Sequence, residues 1–476
     1  MSVKQVSDEN KATAGWFPLV AHKIAVRTFD LSTGLNYVSI KDQIVRACAL
    51  IDSLAEARIL RPQAGTPSYE YDLIVVGAGA AGVSAAWRAD CYGANTLLVE
   101  SGAEMFSVQR RCTHRHVSMS MYDWPEIFAT SGAFPSLGGL PVVSSTPEKL
   151  AESGFPCVAA PGPPKRAADL VKEWDAQLQK FPLKCERRFN THATPVPPGK
   201  HGVLSDSSGY VMVTLSTAGS ESQVFSSNVV FATGIGVERK LNGGYASPPF
   251  WSDDERAPWL PGASLPGETV VVSGAGDGAI QDVIKSLLVI HDGDLIPVAE
   301  SLFLKKEMTA VKSRILAIER HAERQLLWGV HENDVFRAMQ RSYCAIVNEI
   351  QPSRIQKWKK QYLRPVGPSV KWVMIEPKVF TKTYPLNRLL ASVLSREEFT
   401  PRMTFVQGKL ADISKNPMSE FWTCFLEDGA TLTSDYPPML RHGIEVNVEN
   451  GHDDEDLKTL RAAISRAPVP FKPFDF

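Results

Sequence analysis

Gly77, Gly79 and Gly82 in GAGAAG, with Glu100 standing 21 residues after Gly79, have the types and spacing of a phosphate-binding turn. Gly77 permits the tight turn, Gly79 lets backbone approach a pyrophosphate, and Gly82 lets a helix pack closely on a strand. The start of that helix offers free N–H groups to the phosphates. A carboxylate at Glu100 can accept the ribose hydroxyl protons of an adenosine. Such a turn needs a strand before it, a helix after it and a second strand ending at the acid, and YDLIVVGAGAAGVSAAWRADCYGANTLLVES supplies all three. Glycines of this spacing also occur in turns that bind nothing.

A second turn of the same kind lies in VVVSGAGDGAIQD, residues 270–282. Gly274 and Gly276 take the first two positions, Ala279 replaces the third, and Gly278 adds freedom that the pattern does not need. Asp277 is the departure. A carboxylate here repels a pyrophosphate unless its side chain points away or caps the helix that starts beside it. No clear strand ending in an acid follows: HDGD, with Asp292 and Asp294, reads as a turn before Lys305 and Lys306. Both a dinucleotide site and a unit kept only for folding fit these residues.

The surrounding chain of 476 residues has room for two or three domains. Lys plus Arg (51) nearly cancels Asp plus Glu (52), and a net charge of -1 offers no field for a polyanion or an acidic membrane. The basic stretch RIQKWKKQYLRP accordingly reads as a solvated helix face rather than a nucleic-acid surface. Seven cysteines contain no CxxC pair, which describes reduced thiols and argues against a dithiol centre; no metal-ligand spacing is present. With no apolar run of about 18 residues and no leader pattern, a soluble cytoplasmic protein is expected. An amphipathic helix, IKDQIVRACALIDSLAEARIL, precedes Pro62, helices are expected near 167–180 and over 300–350, and YVMVTLS and MTFVQGKLADI open two meanders.

The spacing through the first unit, with Ala86 four, Gly93 eleven and Glu100 eighteen residues past Gly82, resembles the FAD fingerprint of the two-dinucleotide-binding-domain flavoproteins. That superfamily includes glutathione reductase-like enzymes and flavin-containing monooxygenases. SSNVVFATG resembles the strand by which such proteins return to the FAD sheet, which puts Thr233 and Gly234 beside the cofactor. LEDGATLTSDYPPMLRHG resembles a second return and places Asp435 and Gly443 on the flavin side. Pro437 and Pro438 cannot donate to a ladder, so that strand begins at Met439 or lies at an edge.

The resemblance implies an α/β fold: a Rossmann-like FAD domain built from discontinuous segments, an inserted second Rossmann-like domain and an N-terminal helical extension. The expected divisions are 1–66 for the extension, 67–245 and 401–476 for the two parts of the FAD domain, and 246–400 for the insert. Gly77, Gly79, Ala81, Gly82, Glu100 and Ser101 would hold FAD, with Arg110 and Arg111 neutralising cofactor phosphates. Gly274, Gly276 and Gly278 would hold NADP or NAD. His116, Tyr122 and Trp124 would line the flavin or substrate pocket, the alternative being a solvated basic loop with a core tryptophan. The implied activity is FAD-dependent oxidoreduction of a small organic substrate, NAD(P)H-reduced and of monooxygenase type. The alternatives are an amine or amino-acid oxidase or dehydrogenase with a degenerate second site, and a flavin-binding scaffold or sensor without turnover.

Overall fold

A computed structural model describes residues 19, 22–31, 39–61, 69–118, 121–122, 124–125, 157, 163–195, 210–234, 237–241, 244–251, 267–327, 329–381, 383–415 and 420–445. Residues 62–68, Asp123 and, apart from Cys157, residues 126–162 lie outside the described residues.

The chain ahead of the first glycine turn is more than a helical extension. Lys23–Ala25 (β1) and Thr28–Asp30 (β2) form a hairpin, followed by the helix Ile40–Glu56 (α1). The first βαβ unit comes next: Leu73–Val76 (β3), Ala80–Cys91 (α2) and Thr96–Val99 (β4). Beyond it lie Ala167–Lys180 (α3), Glu186–Arg188 (β5) and a meander of Thr191–Pro195 (β6), Val211–Thr217 (β7) and Ser220–Ser226 (β8). Val229–Phe231 (β9) then completes a six-stranded sheet ordered β1-β2-β9-β3-β4-β5.

Strand β2 runs parallel to β9 in the register Thr28↔Val229 to Asp30↔Phe231. The hairpin is therefore part of the first sheet, and the boundary expected at 66 does not separate it from that body. Its three-residue strands are too short to show a period of two, so only the helix was legible there. Phe29 and Leu31 are buried with Ile44, Leu50 and Leu54 of α1 against Leu73, Val75 and the Ala-rich face of α2. Each such side chain contributes roughly 1.5–3 kcal/mol on burial. The helices α1 and α2 are also tied by Asp52, which accepts from Arg88 Nε at 2.5 Å and from the Tyr92 hydroxyl at 2.8 Å.

A second body repeats the plan. Thr269–Ser273 (β10) leads into Asp277–Leu287 (α4), and four more helices follow: Leu295–Glu300 (α5), Met308–Leu327 (α6), Glu332–Asn348 (α7) and Pro352–Tyr362 (α8). Then come Ser369–Met374 (β11), Pro385–Leu394 (α9), Met403–Gln407 (β12), the meander Leu410–Lys415 (β13), Trp422–Leu426 (β14) and Thr431–Ser434 (β15), and Met439–Leu440 (β16). The sheet is parallel, ordered β12-β11-β10-β16.

Alternation in β3 and β10 shows how each sheet is covered. Leu73 and Val75 face helices, while Ile74 and Val76 face the β6–β8 meander. In the second sheet Val270 and Val272 face helices, and Val271 faces Leu410, Ile413 and Leu426 of the second meander. A two-stranded ribbon, Val237–Glu238 antiparallel to Ile444–Glu445, lies where the chain passes between the bodies.

Two expectations are corrected by this pairing. Residues from 401 onward do not return to the first sheet, because β12 pairs with β11 and β16 with β10. Pro437 and Pro438 do delay the strand to Met439, at an edge, but the edge belongs to the second sheet. Among the described residues no helix is long and apolar enough to cross a membrane.

Candidate functional site

The first glycine turn sits at the carboxyl end of β3, where the strand order of the sheet reverses between β3 and β9. Crevices at such switch points are where open α/β sheets take ligands. Gly77 has φ +102, and an added Cβ would overlap the Ala232 carbonyl. At Gly82 an added Cβ would strike the Gly77 carbonyl, so this glycine serves helix–strand packing. At Gly79 nothing lies within 4 Å of the added Cβ. The protein therefore has no packing reason of its own for a glycine there, as expected for a residue that leaves room for a ligand. No side chain caps α2 at Gly79 and no acid stands in its first turn, which leaves the N–H groups at Ala80, Ala81 and Gly82 to an anion.

Glu100 lies just past β4 and closes the turn from the side. Its Oε2 accepts from Ala78 N at 2.6 Å and its Oε1 from Gly102 N at 2.7 Å, with the Ser101 hydroxyl 3.3 Å away. Across the crevice Thr233 and Gly234 (φ +87) follow β9 and are exposed. Gly77, Gly79, Ala81, Gly82, Glu100, Ser101, Thr233 and Gly234 thus come together on one edge. These groups fit a dinucleotide such as FAD: a bare backbone cradle, an uncapped helix start and a carboxylate at the end of the next strand.

Other expected residues lie elsewhere. Arg110 is bound to Asp175 at 2.7 and 3.0 Å and to Glu104 at 3.0 Å, so its charge is already met; Arg111 is exposed beside it. Trp124 is 1% exposed in the core of the second body and donates from Nε1 to Glu300 at 3.1 Å, which makes it a packing residue rather than a pocket wall. Tyr122 packs on Tyr384 with ring centroids 4.6 Å apart. His116 pairs across a two-residue ladder with Arg166 and lies against Gly293; burial, then Lys285 and Arg166, hold its imidazole below the usual histidine range. Asp435 receives Thr269 N at 2.6 Å at the start of β10, and Gly443 stands between β16 and the linking ribbon; both belong to the second body because β16 does.

The second turn repeats the first with differences. Gly274 (φ +131) would clash with the Arg441 carbonyl, and Ala279 is fully buried in the third position. Gly276 caps α4 without a side-chain acceptor, and the nearest atom to an added Cβ there is the Thr381 carbonyl oxygen at 3.6 Å. Gly278 is hemmed in by the Arg441 side chain, 3.2 Å from an added Cβ. Asp277 turns away from the cradle: its Oδ1 accepts from Tyr384 N at 3.0 Å and Asn387 Nδ2 at 2.9 Å. It therefore holds the start of α9, where Asn387 donates to it.

The strand that should end in an acid is β11, which pairs directly with β10. The four helices from α5 to α8 separate the two in sequence. Glu376 stands two residues past β11 and meets Arg337 at 2.7 Å. HDGD is the turn it reads as: Asp294 accepts from Ile296 N at 3.0 Å and caps α5.

Sequence reasoning missed a buried network between the bodies. Asp282 on α4 accepts from Arg115 at 2.5 Å and from Arg441 at 2.8 Å, and Arg441 also reaches Glu238 at 2.7 Å. Both guanidiniums face the Phe250 ring, at 3.8 and 5.5 Å. The available signal was Asp282 itself, an acid among the apolar residues of DGAIQDVIKSL.

Residues 71–280 match the pyridine nucleotide-disulphide oxidoreductase family. Among solved structures the chain is similar to bacillithiol disulfide reductase from Staphylococcus aureus, at 13% identity over 82% of this chain and 79% of that one, with a TM-score of 0.38. It is also similar to thioredoxin reductase from Lactococcus lactis (11% identity, 84% and 97% covered, TM-score 0.36). A third similar structure is ornithine N-hydroxylase from Kutzneria sp. 744 (13% identity, 79% and 80% covered, TM-score 0.35). No curated protein matches the sequence. The family match spans both glycine turns, the first seated on a largely parallel sheet and the second on a parallel one, and over those residues the chain is similar to that oxidoreductase family.

Proposed function

We propose that this FAD-dependent oxidoreductase takes electrons from NADH or NADPH at the second turn and passes them to O₂ and a small organic substrate, as a monooxygenase. The observation that carries this reading is the pair of uncapped glycine turns, each at the carboxyl end of a central strand with parallel neighbours, with open space at Gly79. Bound FAD supplies the electron chemistry. The chain's own part is positional. Backbone N–H groups of α2 receive phosphate, Glu100 offers its carboxylate to ribose hydroxyls, and Arg115, Asp282 and Arg441 hold the second turn against the first body.

The cysteines favour an acceptor other than a dithiol. Burial pushes the thiols of Cys185 and Cys424 up to about 12 and raises Cys48 and Cys157 as well. Thiols held protonated in this way are poor nucleophiles for disulfide exchange.

A second reading, an amine or amino-acid oxidase or dehydrogenase, draws on one observation. Thr381 N donates to Ala275 O at 2.9 Å, and the Thr381 carbonyl lies 3.6 Å from where a Gly276 side chain would begin, so the chain itself lies along the second turn. Anaerobic reduction of the purified yellow protein separates the two. Bleaching by NADH or NADPH, with substrate-dependent O₂ uptake on readmitting air, supports the first. Bleaching only by an amine or amino acid supports the second, and a protein that takes up no FAD overturns both.

A further inference from the structure

Asp277 occupies an unusual position: its backbone belongs to the phosphate-facing start of α4, while its side chain is directed into a buried polar cluster under that turn. Tyr384 N and Asn387 Nδ2, both neutral donors, bind its Oδ1. Behind them lie Arg388, 1% exposed, and Glu319, 2% exposed. Arg388 Nη1 donates to the Phe380 carbonyl at 2.6 Å, and its Nε is 4.0 Å from Glu319, which in turn accepts from the Tyr343 hydroxyl at 2.6 Å. On the other side of the turn Arg441 is committed to Asp282 and Glu238. Tyr122 covers Tyr384.

Among the described residues the cluster thus holds two acids, Asp277 and Glu319, and one base, Arg388. Full ionisation leaves a net negative charge in a region of low dielectric, and a proton on one acid removes it. Glu319 is the acid beside Arg388, whereas the direct hydrogen-bond donors to Asp277 are neutral. Burial pushes Asp277 up to about 7, against the pull of Asn387, Tyr384 and Arg388 and with the help of Glu319.

We propose that Asp277 sets the affinity of the second turn for a dinucleotide: the turn accepts the pyrophosphate with Asp277 protonated and disfavours it with Asp277 ionised, so that binding takes up a proton. The inference rests on the reading of this turn as the nicotinamide site. Two effects act in the same direction. An ionised carboxylate in the first turn of α4 occupies the favourable field of the helix start and repels a second anion there. It also binds Tyr384 N and Asn387 more tightly, and so fixes the segment whose Thr381 lies along Gly276.

The test measures NAD⁺ binding to the FAD-loaded, full-length protein by calorimetry, in two buffers of different ionisation enthalpy. NAD⁺ is chosen because, unlike NADP⁺, it has no 2′-phosphate titrating in the same range. The wild-type Kd should rise about tenfold between about pH 6 and about pH 8, with net proton uptake on binding near pH 7. Asp277→Asn should bind with a pH-independent Kd no weaker than the wild type at the lower pH, and without proton uptake. A wild-type Kd that is flat with no proton exchange, or a variant that keeps the wild-type profile, overturns the proposal and leaves the nicotinamide site standing. No binding of NAD⁺ or of NADP⁺ at either pH by protein that retains FAD overturns both. The proton-uptake measurement uses the wild type alone and decides the matter if Asp277→Asn does not fold.

Discussion

Arg115 Nη2 donates to Asp282 Oδ1 at 2.5 Å across the boundary between the two bodies, with the side chains 4% and 0% exposed. Arg441 meets the other carboxylate oxygen at 2.8 Å, so one buried anion serves two buried cations. Asp282→Ala would leave both guanidiniums without it, a kind of loss that costs about 3–5 kcal/mol. Urea unfolding of the FAD-loaded protein measures it, and a change under about 1 kcal/mol would show that the network does not hold the bodies together.

Asp282 and Asp277 should shape the pH dependence of stability with opposite signs. Burial alone would raise Asp282, but Arg115 and Arg441 outweigh it and hold the carboxyl below its usual value. The folded state then binds fewer protons than the unfolded one, so this contribution is present above the ordinary carboxylate range and lost as pH falls through the folded value. Asp277, raised from 3.8 to about 7, does the reverse: its contribution is complete below 3.8 and lost as pH rises through about 7. Relative to Asp277→Asn, the wild type should therefore lose stability, on the order of a few kcal/mol, between about pH 4 and pH 7. Urea midpoints of both proteins across that window check the sign.

The glycines of the first turn should divide by consequence. Gly79→Val faces open space and should leave the fold intact, with the melting temperature of the apoprotein within about 3 °C of wild type, while FAD affinity falls at least about a hundredfold. Gly77→Val meets the Ala232 carbonyl from a left-handed backbone and should unfold the first body. Retained FAD in soluble Gly79→Val would remove the pyrophosphate from this turn.

The N-terminal hairpin should matter to the first body as much as its glycine turn does. Phe29, 3% exposed on β2, packs under α1 and α2. Phe29→Ala should cost about 3–5 kcal/mol and lower FAD retention, whereas an accessory segment would unfold separately. A single unfolding transition followed by both flavin release and circular dichroism is the expected result.

Both βαβ starts were legible because each carries its information locally: an apolar strand, a glycine turn and a helix within about 25 residues. The meanders were legible for the same reason. Partnership between distant strands was not. Thr28–Asp30 is too short to show a period, yet it joins the sheet beside Val229–Phe231. The ending around Asp435 and Gly443 reads as a return strand, and it is one, but nothing in its residues says to which of two similar sheets it returns. Asp277 is awkward in the sequence alone; what relieves it, Tyr384 and Asn387, lies more than a hundred residues away.

The four helices inserted between α4 and β11 also set an order of events during synthesis. Strand β10 has β11 and β16 as its neighbours, beginning at residues 369 and 439. An apolar strand, TVVVS, thus leaves the ribosome about a hundred residues before its first partner, and the sheet cannot close until Met439 and Leu440 have emerged. The helices made in that interval supply Leu295, Val298, Ile315 and Trp358 to the core that covers Val270 and Val272. They can shelter the nascent strand from aggregation while it waits.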